Sequence, residues 1–265
     1  MTADRPHMAG ETVTAPYRVS VVTAVRNDAA GLRRTLESIA AQTYPAVDSV
    51  VIDGGSSDGS VDVLQEHADH IGYWVSEPDT GIAEAMNKGL AHAGGDLVLF
   101  LHANDRFADD HALERVMACV TDMGSIWAFD ILHGSAGRYS RTSPRPFKHW
   151  AWLKNPLPHQ GVLCPRHVFA ELGDFDTSLK IDMDYDFWLR AYRAGYRLQR
   201  VPEVLAIMDD GGVSSRRDWP GLAARFREER RVQLRHARTS PWRWLYRLYW
   251  PLYLGYRRLR QVAGL

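Results

Sequence analysis

Five consecutive apolar residues, Leu97 to Leu101, run straight into His102-Ala103-Asn104-Asp105. A short, unbroken apolar run reads as a strand covered on both faces, as in a parallel sheet between helix layers. In open α/β sheets, ligands collect outside the carboxyl ends of such strands. A carboxylate there, beside an imidazole and an amide, has the chemistry to hold a divalent metal and, through it, a phosphate. The same residues also fit a structural role in which Asp105 caps a helix beginning around Asp109.

The preceding segments repeat this logic. Val19 to Thr23 is an apolar run ending in a polar residue, and Leu32, Leu36 and Ile39 follow at helical spacing, with Asp28 placed to cap that helix. Ser49 to Asp53 is a second strand ending in a carboxylate, and Gly54 to Gly59 turns into a helix over Val61 to His67. Gly72 to Ser76 is a third strand and Ile82 to His92 a third helix. Alternating strands and helices call for right-handed crossovers and a mostly parallel sheet with helices on both faces. Thr23, Asp53 and the cluster ending at Asp105 then converge on one sheet edge, where a nucleotide site belongs. The turn at Gly54 has neither P-loop nor dinucleotide spacing. Asp53 fits two roles: acceptor for a base N–H or ribose hydroxyls, or the start of an Asx-turn into the glycine loop.

Three stretches carry a resemblance: VSVVTAVRND from Val19, VVIDGGSSDGSVDVL from Val50, and SEPDTGIAEAMNKGLAHAGGDLVLFLHAND from Ser76. In order and spacing they are similar to the nucleotide-binding half of the family 2 glycosyltransferases, the type that builds bacterial polysaccharides. The resemblance implies the glycosyltransferase-A fold, inversion at the transferred sugar, and a nucleoside diphosphate sugar, UDP-linked, as donor. It implies that Thr23 and Asp53 contact the base, and that Asp79, Asn87 and Lys88 line the donor site. Lys88 supplies a cation for a diphosphate and Asn87 a hydrogen-bonding amide; a solvated lysine on a helix is the plainer role for Lys88. The family's metal signature is Asp-x-Asp or Asp-Asp. Here Asp105 remains as the metal ligand while Asn104 replaces a carboxylate. Asparagine offers a carbonyl oxygen to Mg²⁺ or Mn²⁺ but no charge, so weaker metal binding is expected. His102 suits such a cation less, because hard cations prefer oxygen.

Further on, Ile126 to Ile131 and Arg138 to Thr142 read as strands. Pro144, Pro146, Pro156 and Pro158 punctuate a loop carrying Phe147, Trp150 and Trp152, which fits an acceptor wall or a structural crossing. The resemblance continues at His159-Gln160 and at Leu172 to Asp176, and implies that His159 lies at the site floor, against pyrophosphate or metal. A histidine satisfied within the core is the other reading of His159. Asp182, Asp184 and Asp186 open an amphipathic helix, and acids are favourable at a helix N-terminus in their own right. Inverting transfer needs a base for the acceptor hydroxyl. The family's base is the Asp of a Glu-Asp or Ser-Asp pair, which aligns with Met183-Asp184, so Asp184 is the expected base. Gly211 to Ser215 is similar to the family's closing loop after a strand around Val204 to Met208.

Formal charge sums to zero over 265 residues but divides sharply. Residues 216–265 hold 13 arginines and three acids, a net of +10; residues 1–215 carry the opposite balance. Arginine with Trp242, Trp244, Leu245, Leu248, Tyr249 and Leu252 fits a helix lying on an anionic membrane, or a helical hairpin packed on the catalytic domain or on a second subunit. Nucleic acid is not expected as a partner, since no nucleic-acid module accompanies the charge. No apolar run is long enough to span a bilayer. Residues 1–16 read as a disordered leader without signal-peptide character. Cys119 and Cys164 have no metal or disulfide spacing, which fits a reducing compartment.

The expected organisation is thus a catalytic domain over 17–215 and a basic, aromatic helical tail over 216–265. Within the first, 17–105 is the nucleotide half and 106–215 the acceptor half. The expected activity is sugar transfer from a nucleotide sugar to a glycan or lipid-linked acceptor, in the cytoplasm, peripheral on the inner face of the membrane. A non-catalytic sugar-nucleotide-binding protein, or a nucleotidyltransferase, are the alternatives.

Overall fold

The computed structural model describes residues 17–135, 137–210, 218–237 and 241–262. The expected leader and the Gly211 to Ser215 loop lie outside the described residues. The first half follows the expected alternation: β1 (Val19–Val25), α1 (Ala29–Ala40), β2 (Val47–Asp53), α2 (Ser60–Glu66), β3 (Tyr73–Ser76), α3 (Ile82–His92) and β4 (Leu97–Phe100). Asp28 caps α1 by accepting the Gly31 N–H at 2.9 Å. All pairings among these strands are parallel, in the order β3-β2-β1-β4. Alternation along β4 divides its side chains between two cores. Val98 and Phe100 join Met86, Phe169 and Phe187 on one face. Leu97, Leu99 and Leu101 join Leu113 and Val116 on the other. Burial on both faces is why the run carries no polar residue until His102.

The second half is mixed. It comprises β5 (Asp105–Phe107), α4 (Ala112–Met117), β6 (Ser125–Ser135), β7 (Arg138–Thr142), α5 (Phe147–Trp150), β8 (Val162–Pro165), α6 (Arg166–Leu172), α7 (Met183–Arg193) and β9 (Arg197–Asp209). β8 runs antiparallel between β4 and β6, β9 runs parallel to β6, and β5 closes the far edge against β9. The nine-stranded sheet therefore reads β3-β2-β1-β4-β8-β6-β9-β5, with β7 paired to β6. The expected parallel character holds for the first four strands; beyond them β8, β7 and β5 pair antiparallel while β6 and β9 pair parallel. Asp105 is not a helix cap: it opens β5, opposite Met208, and α4 begins at Ala112 with His111 in the cap position.

The tail is a helical hairpin, α8 (Trp219–His236) and α9 (Trp242–Val262), closed by Phe226, Ala237, Tyr246 and Trp250. It packs on the body. Gln233 accepts the Trp250 indole N–H at 2.8 Å and donates to the Leu153 carbonyl at 3.2 Å. Among the described residues no helix is long and apolar enough to cross a membrane.

Gly89 marks the closest helix–sheet approach, since a Cβ there would lie 2.3 Å from Cγ1 of Val22 on β1. Gly89→Ala is expected to destabilise the fold by about 1–3 kcal/mol through overpacking. Gly94→Ala, which meets nothing within 4 Å, is expected to be near neutral. Urea unfolding of the two variants checks this.

Candidate active site

Beyond the carboxyl end of β4 lies a cavity of about 240 Å³, walled among others by His102, Asn104, Asp105, His159, Lys180 and Asp184. The β4–β5 turn supplies the first three. Thr35 of α1 pins that turn by donating to the Asp105 carbonyl at 2.6 Å. Burial pushes the Asp105 carboxyl up to about 6, against the nearby His159 and the N–H donors of Gln160 and His102. Both donors reach the same oxygen, Oδ2, at 3.2 and 3.1 Å. Asn104 adopts φ 77°, and its side-chain oxygen accepts from the Arg34 guanidinium. Burial holds His102 well below the usual histidine range, with the His159 charge adding to the effect. His102 Nδ1 accepts the Ala24 N–H at 3.3 Å, so its proton sits on Nε2. The Nε2 atoms of His102 and His159 are both buried without a partner.

The opposite wall is the start of α7, where three carboxylates are buried within two turns: Asp182, Asp184 and Asp186 are 8%, 6% and 3% exposed. Each is accommodated differently. Asp186 accepts from His236 at 2.9 Å, Arg190 at 3.1 Å and Arg235 at 3.2 Å. Burial opposes ionisation of Asp186, but His236 and the two arginines outweigh it and lower its pKa. Asp184 accepts from the Asn155 amide at 2.9 Å and the Tyr185 N–H at 2.7 Å, and lies 3.5 Å from His159 Nδ1. Burial works against charge on His159, yet the Asp184 hydrogen bond and charge raise its pKa overall. Asp182 has no such support: it makes no side-chain cap bond to α7, and its Oδ2 is buried without a partner. Burial, with Asp184 and the α8 glutamates nearby, pushes its carboxyl up to about 8. The favourable helix-terminus role expected for Asp182 is therefore not realised.

A polar strand-end cluster with one buried carboxylate thus faces a second carboxylate on a helix start across one cavity. Comparison with known proteins gives the family. Residues 20–168 match the family "Glycosyl transferase family 2". Over 212 residues the chain is 35% identical to an uncharacterized glycosyltransferase of Mycobacterium tuberculosis, covering 78% of this chain and 80% of that one. The chain belongs to glycosyl transferase family 2. Its fold matches the mannosyltransferase PcManGT from Pyrobaculum calidifontis in complex with GDP-Man and Mn²⁺, with a TM-score of 0.67, 20% identity, and coverage of 95% of this chain and 76% of that one. It also matches S. aureus TarS 1-349 in complex with UDP-GlcNAc, with a TM-score of 0.66, 17% identity, and coverage of 84% and 67%.

In this family 2 glycosyltransferase the expected site residues divide into two groups. Asn104, Asp105, His159 and Asp184 meet in the cavity. Thr23, Asp53, Asp79, Asn87 and Lys88 are not among its walls. Thr23 is fully buried with its hydroxyl unpartnered, because β1 continues two residues past it to Val25. Asp53 holds its own turn, accepting the Ser56 N–H at 2.9 Å and the Ser76 hydroxyl at 2.6 Å, which is the Asx-turn role. Asp79 accepts the Gly81 N–H at 2.9 Å. Asn87 clamps the Phe175 backbone at 2.9 and 3.0 Å. Lys88 pairs with Glu77 at 2.7 Å and Glu84 at 3.2 Å, and the Glu77 hydrogen bond holds its ammonium above the ordinary lysine value.

The lysine that reaches the cavity is Lys180, whose ammonium also donates to the Thr80 carbonyl across the crevice. Its signal in the sequence was faint, a lone cation just before an acidic run. Asn155 lay in the Pro-rich loop with nothing to tie it to Asp184. Glu228 is the other omission. Its carboxylate accepts the N–H groups of Lys180 at 2.8 Å, Ile181 at 2.8 Å and Asp182 at 3.2 Å, which fixes the approach to α7 from α8.

Among the described residues no three His, Cys, Asp or Glu side chains form a metal-binding cluster. One buried carboxylate suits a hard cation that completes its shell with phosphate oxygens and water, not one caged by protein.

The Asp182 carboxyl yields a stability prediction with a definite sign. Its folded pKa of about 8 lies above the unfolded value of about 4. Its contribution is thus fully present below pH ~4 and lost as pH rises through 8. Asp182→Asn should raise the melting temperature at pH 8 by several degrees, with the gain vanishing toward pH 4. Thermal melts across that range check it.

Proposed function

We propose that this glycosyltransferase inverts the sugar it transfers, taking it from a nucleoside diphosphate donor, UDP-linked, to a glycan or lipid-linked acceptor at a membrane surface. One observation carries the reading. Asp184 lies in the wall shared by the donor cavity and a second cavity of about 410 Å³ that opens toward the tail hairpin. A carboxylate at that junction can take the proton of an acceptor hydroxyl as its oxygen attacks the anomeric carbon from the face opposite the diphosphate. Asn155 and the Tyr185 N–H orient the carboxylate, and His159 holds it from the floor. Lys180 supplies positive charge toward the departing diphosphate. Asp105 would hold Mg²⁺ or Mn²⁺, which when bound stabilises the same developing charge as a Lewis acid. The base and ribose would lie further along the β1–β2 edge, toward Asp53 and Asp79.

Asp184→Asn keeps the shape of the base but cannot accept the proton. Transfer should fall by roughly a hundredfold or more, with donor affinity nearly unchanged. Quenched-flow transfer and donor calorimetry on the same preparation check this; turnover that survives the change removes Asp184 from the role. The metal-free Asp105 carboxyl takes up a proton at about 6, and a cation competes with that proton, so metal-dependent donor binding should weaken as pH falls below that value and recover at higher Mn²⁺. Asp105→Ala should abolish that dependence altogether, and calorimetry with UDP with and without Mn²⁺ reads both effects.

The membrane part of the proposal rests on α9. Leu248, Leu252 and Leu259 are 69%, 75% and 72% exposed, and lie with Trp244, Leu245 and Tyr256 along one stripe. Arg247, Arg258 and Arg260 flank it, the pattern of a helix seated in an anionic interface. Because those leucines are mostly exposed, Leu248→Asp combined with Leu252→Asp should leave the fold intact and abolish co-sedimentation with phosphatidylglycerol vesicles at low salt. Wild-type protein that ignores such vesicles would sink the membrane reading.

A further inference from the structure

The second cavity leads away from the base to something the transfer chemistry does not use. It shares Lys154, Asn155, Arg225 and Arg257 with an outer cleft of about 750 Å³, while His159 and Asp184 connect it to the donor side. Arg141 and Arg145 complete the cationic wall of the outer cleft, and among the described residues Asp210 is the one acidic side chain lining it. Two of these guanidinium groups lie over aromatic faces. Arg145 lies 4.0 Å from the Trp150 ring centroid, and Arg257 lies 5.5 Å and 6.0 Å from those of Phe226 and Tyr253. An arginine stacked in this way is pre-oriented while its N–H fork remains available to an anion. Arg141 differs, being paired with Asp130.

Charge is sorted along the path. The middle cavity carries Asp182 and Glu229 beside Tyr249, Trp250 and Tyr253, a lining suited to sugar hydroxyls and ring faces. Burial raises both carboxyls, Glu229 to about 7, so that stretch holds less negative charge than its composition indicates. Its cations, Lys154, Arg225 and Arg257, are those it shares with the outer cleft, and Arg141 and Arg145 lie beyond them. Helix α9 borders this path through Tyr253 and Arg257, and its outer face carries the exposed leucine stripe. An acceptor threading the path would thus meet, in order, the base, a sugar-sized cavity, a phosphate-binding wall and an apolar helix face.

We infer that the acceptor is a sugar carried on a lipid phosphate or diphosphate, with its phosphate held by Arg145, Lys154 and Arg257 and its lipid leaving along α9. The inference rests on the proposed transfer reaction and names the acceptor class for it. In that reaction the acceptor hydroxyl oxygen bonds to the anomeric carbon, and the bond from that carbon to the nucleoside diphosphate breaks. The electron pair leaves with the diphosphate, the proton goes to Asp184, and the acceptor's own phosphate linkage is untouched. Headgroups of bulk anionic lipid have the same phosphate chemistry, so the test must separate the two sources.

Full-length protein is saturated with UDP, to fill the donor cavity, and titrated with geranyl diphosphate while tryptophan fluorescence is followed. Geraniol, inorganic diphosphate and phosphatidylglycerol vesicles are the comparison arms. Geranyl diphosphate should bind at least about tenfold tighter than geraniol or inorganic diphosphate, and Lys154→Glu or Arg257→Glu should weaken it by about tenfold or more. Lys154→Arg should retain binding, which separates lost charge from lost fold, and the melting temperature of each variant is recorded. Equal binding of geranyl diphosphate and geraniol overturns the inference. So does indifference to both charge reversals, and so does displacement of bound geranyl diphosphate by phosphatidylglycerol vesicles, which would make the cleft a headgroup site. If UDP itself fails to bind, the donor reading falls separately, and the geranyl diphosphate titration still reads the cleft.

Discussion

Three carboxylates buried at the start of one helix are the constraint around which the second half of this protein is arranged. A buried carboxylate is costly unless it is hydrogen-bonded or paired, and α7 cannot satisfy all three from its own N-terminus. Helix α8 supplies the remedy. His236 and Arg235 pair with Asp186, and Glu228 gathers three backbone N–H groups of the segment leading into α7. The basic tail is in this sense part of the candidate site, since it fixes the segment that presents Asp184. Asp182 is left with no partner for Oδ2 and keeps its proton to about 8. An unsatisfied group of this kind beside the proposed base is where stability and function are expected to diverge.

The sheet explains why the two walls of the site face one another. Parallel strands β1 and β4 deliver the Asp105 turn at their carboxyl ends. The chain then crosses to the far edge as β5 and returns through β6, β8 and β9. β8 runs antiparallel beside β4, so the residues that enter it, His159 and Gln160, arrive at the same end of the sheet as Asp105. Gln160 then bonds Asp105 directly. The reversal of β8 is therefore what closes the cavity floor.

Cations follow a similar rule, with position in the fold deciding their task more than position in the sequence. Lys88 sits in the motif that signals the donor site, yet the acids one turn away and on the preceding loop hold it. Lys180, outside that motif, reaches the cavity. Among the described tail arginines, Arg225, Arg235 and Arg257 face the body, while Arg247, Arg258 and Arg260 flank the exposed stripe of α9.

What the sequence determined by itself is considerable: the alternation of strands and helices to β4, the burial of Leu97–Leu101 on both faces, the Asp28 cap, the family, and Asn104, Asp105, His159 and Asp184 as residues of one site. The elements and the cap are legible because local periodicity and local turn chemistry encode them within a few residues of one another. The family and the grouping of Asn104, Asp105, His159 and Asp184 rested instead on the resemblance of whole motifs to a known family, and the cavity brings those four together. The mixed order of the second half, the pairing of α8 with α7, the sequestration of Thr23 and Lys88, and the recruitment of Asn155, Lys180 and Glu228 were decided by tertiary structure alone. Each depends on contacts between segments far apart in the chain, such as Asn155 with Asp184 or Glu228 with Ile181. Neither partner in such a pair carries a pattern of its own, because a single polar side chain looks the same in sequence whether it meets water, a backbone amide or a catalytic carboxylate.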